Sequence, residues 1–202
     1  MNALVDRRSF VAGTIAAVAM SGRTQAAPKS WYAGTIPDRP FDIPLVDKSR
    51  IPREFHRRIV RYSGSEAPGT ILIDKAKFHL FRVEQGGTAV RYGIAVGRDG
   101  ARWHGEAVVG RKARWPAWTP TANMRRRNPA LPVRMPGGPQ NPLGARALYL
   151  YRDGRDTLYR IHGTNEPGSI GHAASSGCIR MLNEHVLEVF DRTPEGARVI
   201  VL

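Results

Sequence analysis

Three short apolar runs separated by turn residues follow one another between Gly69 and Val96, and such a pattern admits little besides a β-meander. Thr70-Ile71-Leu72-Ile73-Asp74 reads as one strand and residues 77–83 as a second. Gly86-Gly87 supplies the turn, and residues 89–96 read as a third. Further short strands are expected at 107–109, 147–151, 157–161 and 199–202. Residues 111–145, rich in proline, glycine and arginine, separate the first of these from the rest. An irregular stretch of that length inside a compact domain is either functional or disordered. One helix is predicted, from about Glu184 to Arg192. Asn183 is its expected cap, Val186, Leu187 and Phe190 share a face, and Pro194 and Gly196 end it. The expectation is a mainly β domain with one or two short helices.

Residues 27–68 have a different character. They hold six prolines (Pro28, Pro37, Pro40, Pro44, Pro52, Pro68) and no sustained periodicity. They read as an arm or linker packed partly on the main domain, with a short helical turn at about 54–61. The division expected is therefore an export segment at 1–26, an arm at 27–68 and the main domain at 69–202. A chain of 202 residues with 42% hydrophobic content suits one packed domain and an extension.

The export segment is read from Arg7-Arg8-Ser9-Phe10, a twin-arginine start. An uncharged run from Phe10 to Met20 follows, and Thr24-Gln25-Ala26 offers a small-residue cleavage site. The run is too short to cross a hydrocarbon core of about 30 Å, so cleavage is expected and no membrane span in the mature form. The alternative is an amphipathic helix of a cytoplasmic protein. Removing the segment takes away three arginines and one aspartate, which changes the formal charge from +14 to +12. An exported protein so basic is drawn to polyanions such as wall polymer or a membrane surface. Nucleic acid is not an expected partner if the protein is exported, and no nucleic-acid-binding motif is present.

The chain has one cysteine, Cys178, set directly after Gly177, and His162 stands 16 residues upstream at the end of an expected strand. A lone thiol in an exported chain has no internal disulfide partner. A cysteine attacks carbonyls as thiolate, and at its reference pKa of about 8.5 only a few per cent is ionised at neutral pH. A neighbouring imidazole supplies the base. Lowering the thiol pKa by roughly two units, worth ~2.7 kcal/mol, is within the reach of one histidine and a few backbone N–H groups. Gly177 lets the backbone turn tightly, so that the N–H groups of Gly177 and Cys178 can meet a developing oxyanion. If this segment is extended, Arg180 shares a face with Cys178, where a guanidinium suits a substrate carboxylate. Each residue also has a structural reading: a small buried hydrophobe for the cysteine, a packed or surface histidine, a surface arginine. Residue by residue the two readings stay open.

Other chemistries fit less well. His162, His172 and Cys178 match no standard zinc spacing and lack a fourth ligand, so neither metal nor cofactor is expected. Ser175 and Ser176 lack the Gly-x-Ser-x-Gly context of a serine nucleophile. Trp115-Pro116-Ala117-Trp118-Thr119-Pro120-Thr121 can wall a groove or anchor a loop. Arg125-Arg126-Arg127 reads as a solvated face, and His79 as structural.

His162-Gly163-Thr164 and Ser175-Ser176-Gly177-Cys178-Ile179-Arg180-Met181, together with the segment from Asn141-Pro142-Leu143-Gly144 to Leu150 and Trp118-Thr119-Pro120-Thr121, resemble the L,D-transpeptidase family with its YkuD-type catalytic domain. The likeness runs from about Gly69 to Leu202. It implies a β-sandwich-like fold with the cysteine in a groove, and ping-pong acyl transfer on peptidoglycan stem peptides in the periplasm. Cys178 is then the nucleophile and His162 the base, and the Gly163 carbonyl orients the imidazole. Gly177, Arg180 and Ser175 surround the substrate and its oxyanion. The acceptor is a second stem, a lipoprotein lysine or water, and carbapenems are expected covalent inhibitors. Ser176 stands where the family carries a second histidine, which bears on local loop geometry and rate. A hydrolase using the same thiol and a non-catalytic wall-binding protein are the alternatives.

Overall fold

The computed structural model describes residues 30–97, 103–174 and 178–202; the expected export segment, 1–26, lies outside the described residues. A hairpin of β1 (Tyr32–Ile36) and β2 (Ile43–Val46) opens the described chain. A ten-stranded sheet follows. Its strands are β3 (Arg58–Arg61), β4 (Ile71–Asp74), β5 (His79–Glu84), β6 (Thr88–Gly97), β7 (Gly105–Arg114), β8 (Arg146–Arg152), β9 (Arg155–His162), β10 (Ala173–Ala174), β11 (Ile179–Met181) and β12 (Arg198–Val201). The helices are α1 (Ala122–Arg127) and α2 (Asn183–Arg192). The fold is mainly β, as the apolar runs predict.

The sheet closes on itself. Hydrogen bonding runs β6-β11-β9-β8-β7-β12-β4-β5, and β5 pairs again with β6. β6 makes closure possible because it is ten residues long. Its first half lies between β3 and β5, its second between β11 and β10. The period-2 alternation then has a physical outcome: Ile71 and Ile73, Leu148 and Leu150, and Val199 and Val201 all enter one core cluster, together with Val186 and Val189 of α2. The turn between β5 and β6 carries Gly86 and Gly87 at φ 73° and 66°, a left-handed pair that suits glycine.

Three local expectations are corrected. Residues 58–61 form a strand on β6, and only Arg53–Phe55 makes a helical turn; a free edge on β6 outweighs helix propensity in Arg-Ile-Val-Arg. The 111–145 stretch is less irregular than its composition suggests. β7 runs on to Arg114, Thr121 caps α1 by accepting from the Met124 N–H at 3.2 Å, and Trp118 bridges to Met135. Within it Trp115 is buried and donates its indole N–H to Asp38 at 2.9 Å, so this aromatic anchors a loop, while Arg125, Arg126 and Arg127 are exposed. Third, Asn183 is the first residue of α2 and does not cap it.

Asp38, between β1 and β2, ties the hairpin to the sheet. Its carboxylate takes both Arg146 amino groups, at 2.8 and 3.0 Å, and the two side chains are 7% and 3% exposed. These donors hold the Asp38 carboxyl well below the usual carboxylate range, with Arg146 the main cause. Among the described residues no helix is long and apolar enough to cross a membrane.

Candidate active site

His162 ends β9, and Cys178 immediately precedes β11. The two strands are parallel, with Ile179 beside Ile161 and Arg180 beside His162. Ile161 and Ile179 point into the core, so alternation sends Arg160, His162, Cys178 and Arg180 to the opposite face. A two-residue offset across neighbouring strands puts the Cα atoms of Cys178 and His162 about 8 Å apart, within side-chain reach. β8 completes the face: Ala147 pairs with His162, leaving room for the ring, and Tyr149 pairs with Arg160. The Tyr149 ring lies under two guanidinium groups, with Arg111 3.5 Å and Arg160 4.3 Å from its centre.

The imidazole is buried, and its Nδ1 lies 2.6 Å from the Gly163 carbonyl oxygen. A carbonyl can only accept, so Nδ1 carries the proton and Nε2 is the basic nitrogen. Burial pushes His162 down to about 4, with the charges of Arg180 and Arg160 acting in the same direction and the Gly163 bond against it. Cys178 is half-buried, with Sγ 4.0 Å from the Leu158 carbonyl. Leu158 reaches that position at φ 64°, its N–H donating to Asp156 at 2.8 Å. Burial raises the thiol above its ordinary value, and a backbone hydrogen bond from Arg160 partly offsets this. The resting pair is therefore neutral thiol and neutral imidazole. The lowered thiol expected from composition is not what the surroundings produce, because desolvation outweighs the nearby guanidinium charges.

Asn183 braces the base. Its Oδ1 accepts from the Ala145 N–H at 2.9 Å and its Nδ2 donates to the Thr164 carbonyl at 2.8 Å. That is the reason it does not cap α2: the amide is spent on two buried backbone groups. Gly144, at φ 62°, and Gly163 both press on this amide, and a Cβ at either position would collide with its oxygen. His162-Gly163-Thr164 is thereby fixed to the start of β8 and to α2. Asn183→Ala leaves two buried groups unpaired, and a loss of about 2–3 kcal/mol is expected in urea unfolding. A loss below about 0.5 kcal/mol would show that the bracing is dispensable.

Arg180 is buried, and its Nη1 donates to Glu166 at 2.7 Å. Ser175, Ser176 and Gly177 lie outside the described residues. His172 is exposed, and among the described residues no group of three or more His, Cys, Asp or Glu could hold a metal ion. Four site neighbours escaped the sequence reading: Tyr149, Asp156, Arg160 and Glu166. Arg160 carried a usable signal, since it stands two before His162 on the same strand.

A closed β sheet with a thiol and a braced imidazole on neighbouring strands defines a cysteine–histidine protein. Residues 68–201 match the family described as L,D-transpeptidase catalytic domain (YkuD). The chain belongs to that family. It is similar to the probable L,D-transpeptidase ErfK/SrfK of Escherichia coli K12, with 37% identity over 139 residues, 65% of this chain and 43% of that one. The match thus spans less than half the length of that relative. A Brucella melitensis structure described as a probable carnitine operon oxidoreductase is 46% identical, covers 77% of this chain and 99% of its own, and has a TM-score of 0.52. The Enterococcus faecium L,D-transpeptidase C442S mutant is 18% identical, covers 66% of this chain and 49% of its own, and shares the fold at a TM-score of 0.50.

Proposed function

We propose that the chain is a periplasmic L,D-transpeptidase acting on peptidoglycan tetrapeptide stems, exported through its twin-arginine segment. The observation that carries this reading is the hydrogen bond from His162 Nδ1 to the Gly163 carbonyl, which leaves Nε2 as the base on the face that carries Cys178. Cys178 Sγ attacks the carbonyl of the diamino acid that precedes the terminal D-alanine. Its proton passes to Nε2 as the S–C bond forms, because both groups are neutral beforehand. The C–N bond breaks, D-alanine takes that proton and leaves, and a thioester remains. An acceptor amine then forms the new amide and frees the thiol. Arg180 is assigned to the donor's carboxylate, and Gly177 and Ser175 to the oxyanion and substrate. The Brucella protein's description names a different chemistry; the family match and the ErfK/SrfK relative support acyl transfer.

The test is to incubate the protein with disaccharide-tetrapeptide and follow products by mass spectrometry. A cross-linked dimer with released D-alanine is the expected outcome. Tripeptide alone would mean that water is the acceptor and the enzyme a carboxypeptidase. No product, with no carbapenem adduct by intact mass, would leave a wall-binding protein without catalysis.

A further inference from the structure

Two guanidinium groups, those of Arg160 and Arg180, act on both the thiol and the imidazole. Each has a carboxylate partner, but the partners differ. Asp156 is fully engaged: its two oxygens take Arg160 Nη1 and Nη2 at 2.7 and 2.8 Å, and one also takes the Leu158 N–H. Glu166 is half-engaged. Its Oε2 accepts from Arg180 at 2.7 Å, its Oε1 has no hydrogen bond among the described residues, and the side chain is 65% exposed.

The carboxylate is nonetheless well placed. The Glu166 N–H donates to Thr164 Oγ1 at 3.0 Å, and its carbonyl accepts from Ser169 Oγ at 2.7 Å. Thr164 is buried and held by Asn183. The turn that carries Glu166 is thus built on the same brace as the base, four residues away.

Its surroundings make a negative group informative. The chain carries a formal charge of +14, and residues 107–152 contain no aspartate or glutamate. A primary amine with a pKa near ~10.4 arrives at neutral pH as ammonium, and Arg160 and Arg180 repel it. Of these two carboxylates, Asp156 has both oxygens on a guanidinium, and Glu166 offers Oε1 to receive it.

The geometry points to Glu166 as the residue that recognises the acceptor: its free oxygen receives the ammonium of a primary amine and selects amine over water at the thioester. This rests on the acyl-transfer reading and adds the residue that recognises the acceptor amine in preference to water. The ammonium gives one proton to His162 Nε2, and its nitrogen attacks the thioester carbonyl. The C–S bond breaks, and the second proton lost from nitrogen ends on the sulfur. Ammonium and thioester yield amide, thiol and one proton.

The experiment uses the protein, Glu166→Gln and Glu166→Asp, acylated from tetrapeptide donor in a mixture of two acceptors. One is Nα-acetyl-lysine amide, a cation; the other is hydroxylamine, uncharged at neutral pH. Mass spectrometry reads the ratio of amide to hydroxamate. The ratio is expected to fall about tenfold in E166Q and to recover in large part in E166D. A ratio within twofold of wild type in E166Q overturns the proposal, including the case where both products fall together because Arg180 is displaced. A wild-type thiol that takes no carbapenem adduct overturns the acyl-transfer reading itself, and this proposal with it.

Discussion

Replacing Cys178 by alanine should lower the proposed D-alanine release by at least about 10³-fold, to the level of binding without covalent chemistry. The expectation follows from how little else at this site can attack a carbonyl. The basic nitrogen of His162 is pushed down to about 4 by burial, so it serves as a proton acceptor but is a weak nucleophile in its own right. Cys178→Ser should fall nearly as far, because a hydroxyl is harder to deprotonate than a thiol and the imidazole is already a weak base. Stability should hardly move. Cys178 is half-buried and its sulfur makes weak polar contacts, 4.0 Å to the Leu158 carbonyl and a backbone hydrogen bond from Arg160, so the alanine variant should unfold within about 1 kcal/mol of wild type. A coupled D-alanine assay beside a urea titration separates the two effects. Undiminished release from the alanine variant would end the thiol mechanism. The pH profile adds a check on the partner. The base acts while unprotonated, so the rate should hold its plateau down to about pH 5 and bend only near the His162 value.

The sequence made the strands after Gly69 readable because alternation and turn glycine point the same way there. β3 and β11 were less readable, for reasons that can be named. Arg58–Arg61 has two apolar residues between charges, one of which, Ile59, is 67% exposed, and its strand state depends on an edge of β6 roughly thirty residues on. Ile179–Met181 is three residues long and takes its conformation from β6 and β9 together. The same limit applies at the site. Cys178 and His162 announced themselves by residue type. Asn183 looked like a cap because local rules are all a sequence offers; that it reaches Ala145 and Thr164 is a fact of packing. Glu166 stands fourteen positions from Arg180, and nothing in that spacing predicts an ion pair. The thiol shows the limit most clearly: Arg180 beside it was foreseeable, but the desolvation that outweighs the nearby cations depends on burial.

Burial of titratable groups also predicts acid lability. His162 and His185 are both buried and both pushed down to about 4 from 6.5. His185 lies against Tyr92 with ring centres 5.6 Å apart, its Nδ1 has no hydrogen-bond partner among the described residues, and the charges of Glu188, Arg57, Lys48 and His56 act on it. Between pH 6.5 and 4 the unfolded chain binds these two protons and the folded one does not, so stability falls as pH falls through that window. At 1.36 kcal/mol per unit each ring contributes on the order of 3 kcal/mol by pH 4. Asp38 acts in the same direction lower down: its folded carboxyl is depressed by Arg146, so its contribution is present above the unfolded value near 3.9 and is lost below it. Glu184 works against this, since burial raises its carboxyl and favours the folded state as it protonates. The net change, several kcal/mol, is a large share of the 5–15 kcal/mol that holds a typical domain together. Urea titrations at pH 7 and pH 4.5 should differ by about 3 kcal/mol or more, and His185→Gln, neutral at both, should remove close to half of the difference. Equal stabilities at the two pH values would mean that the two rings reach water or a partner in the folded state, and the neutral base assigned to His162 would have to be given up as well.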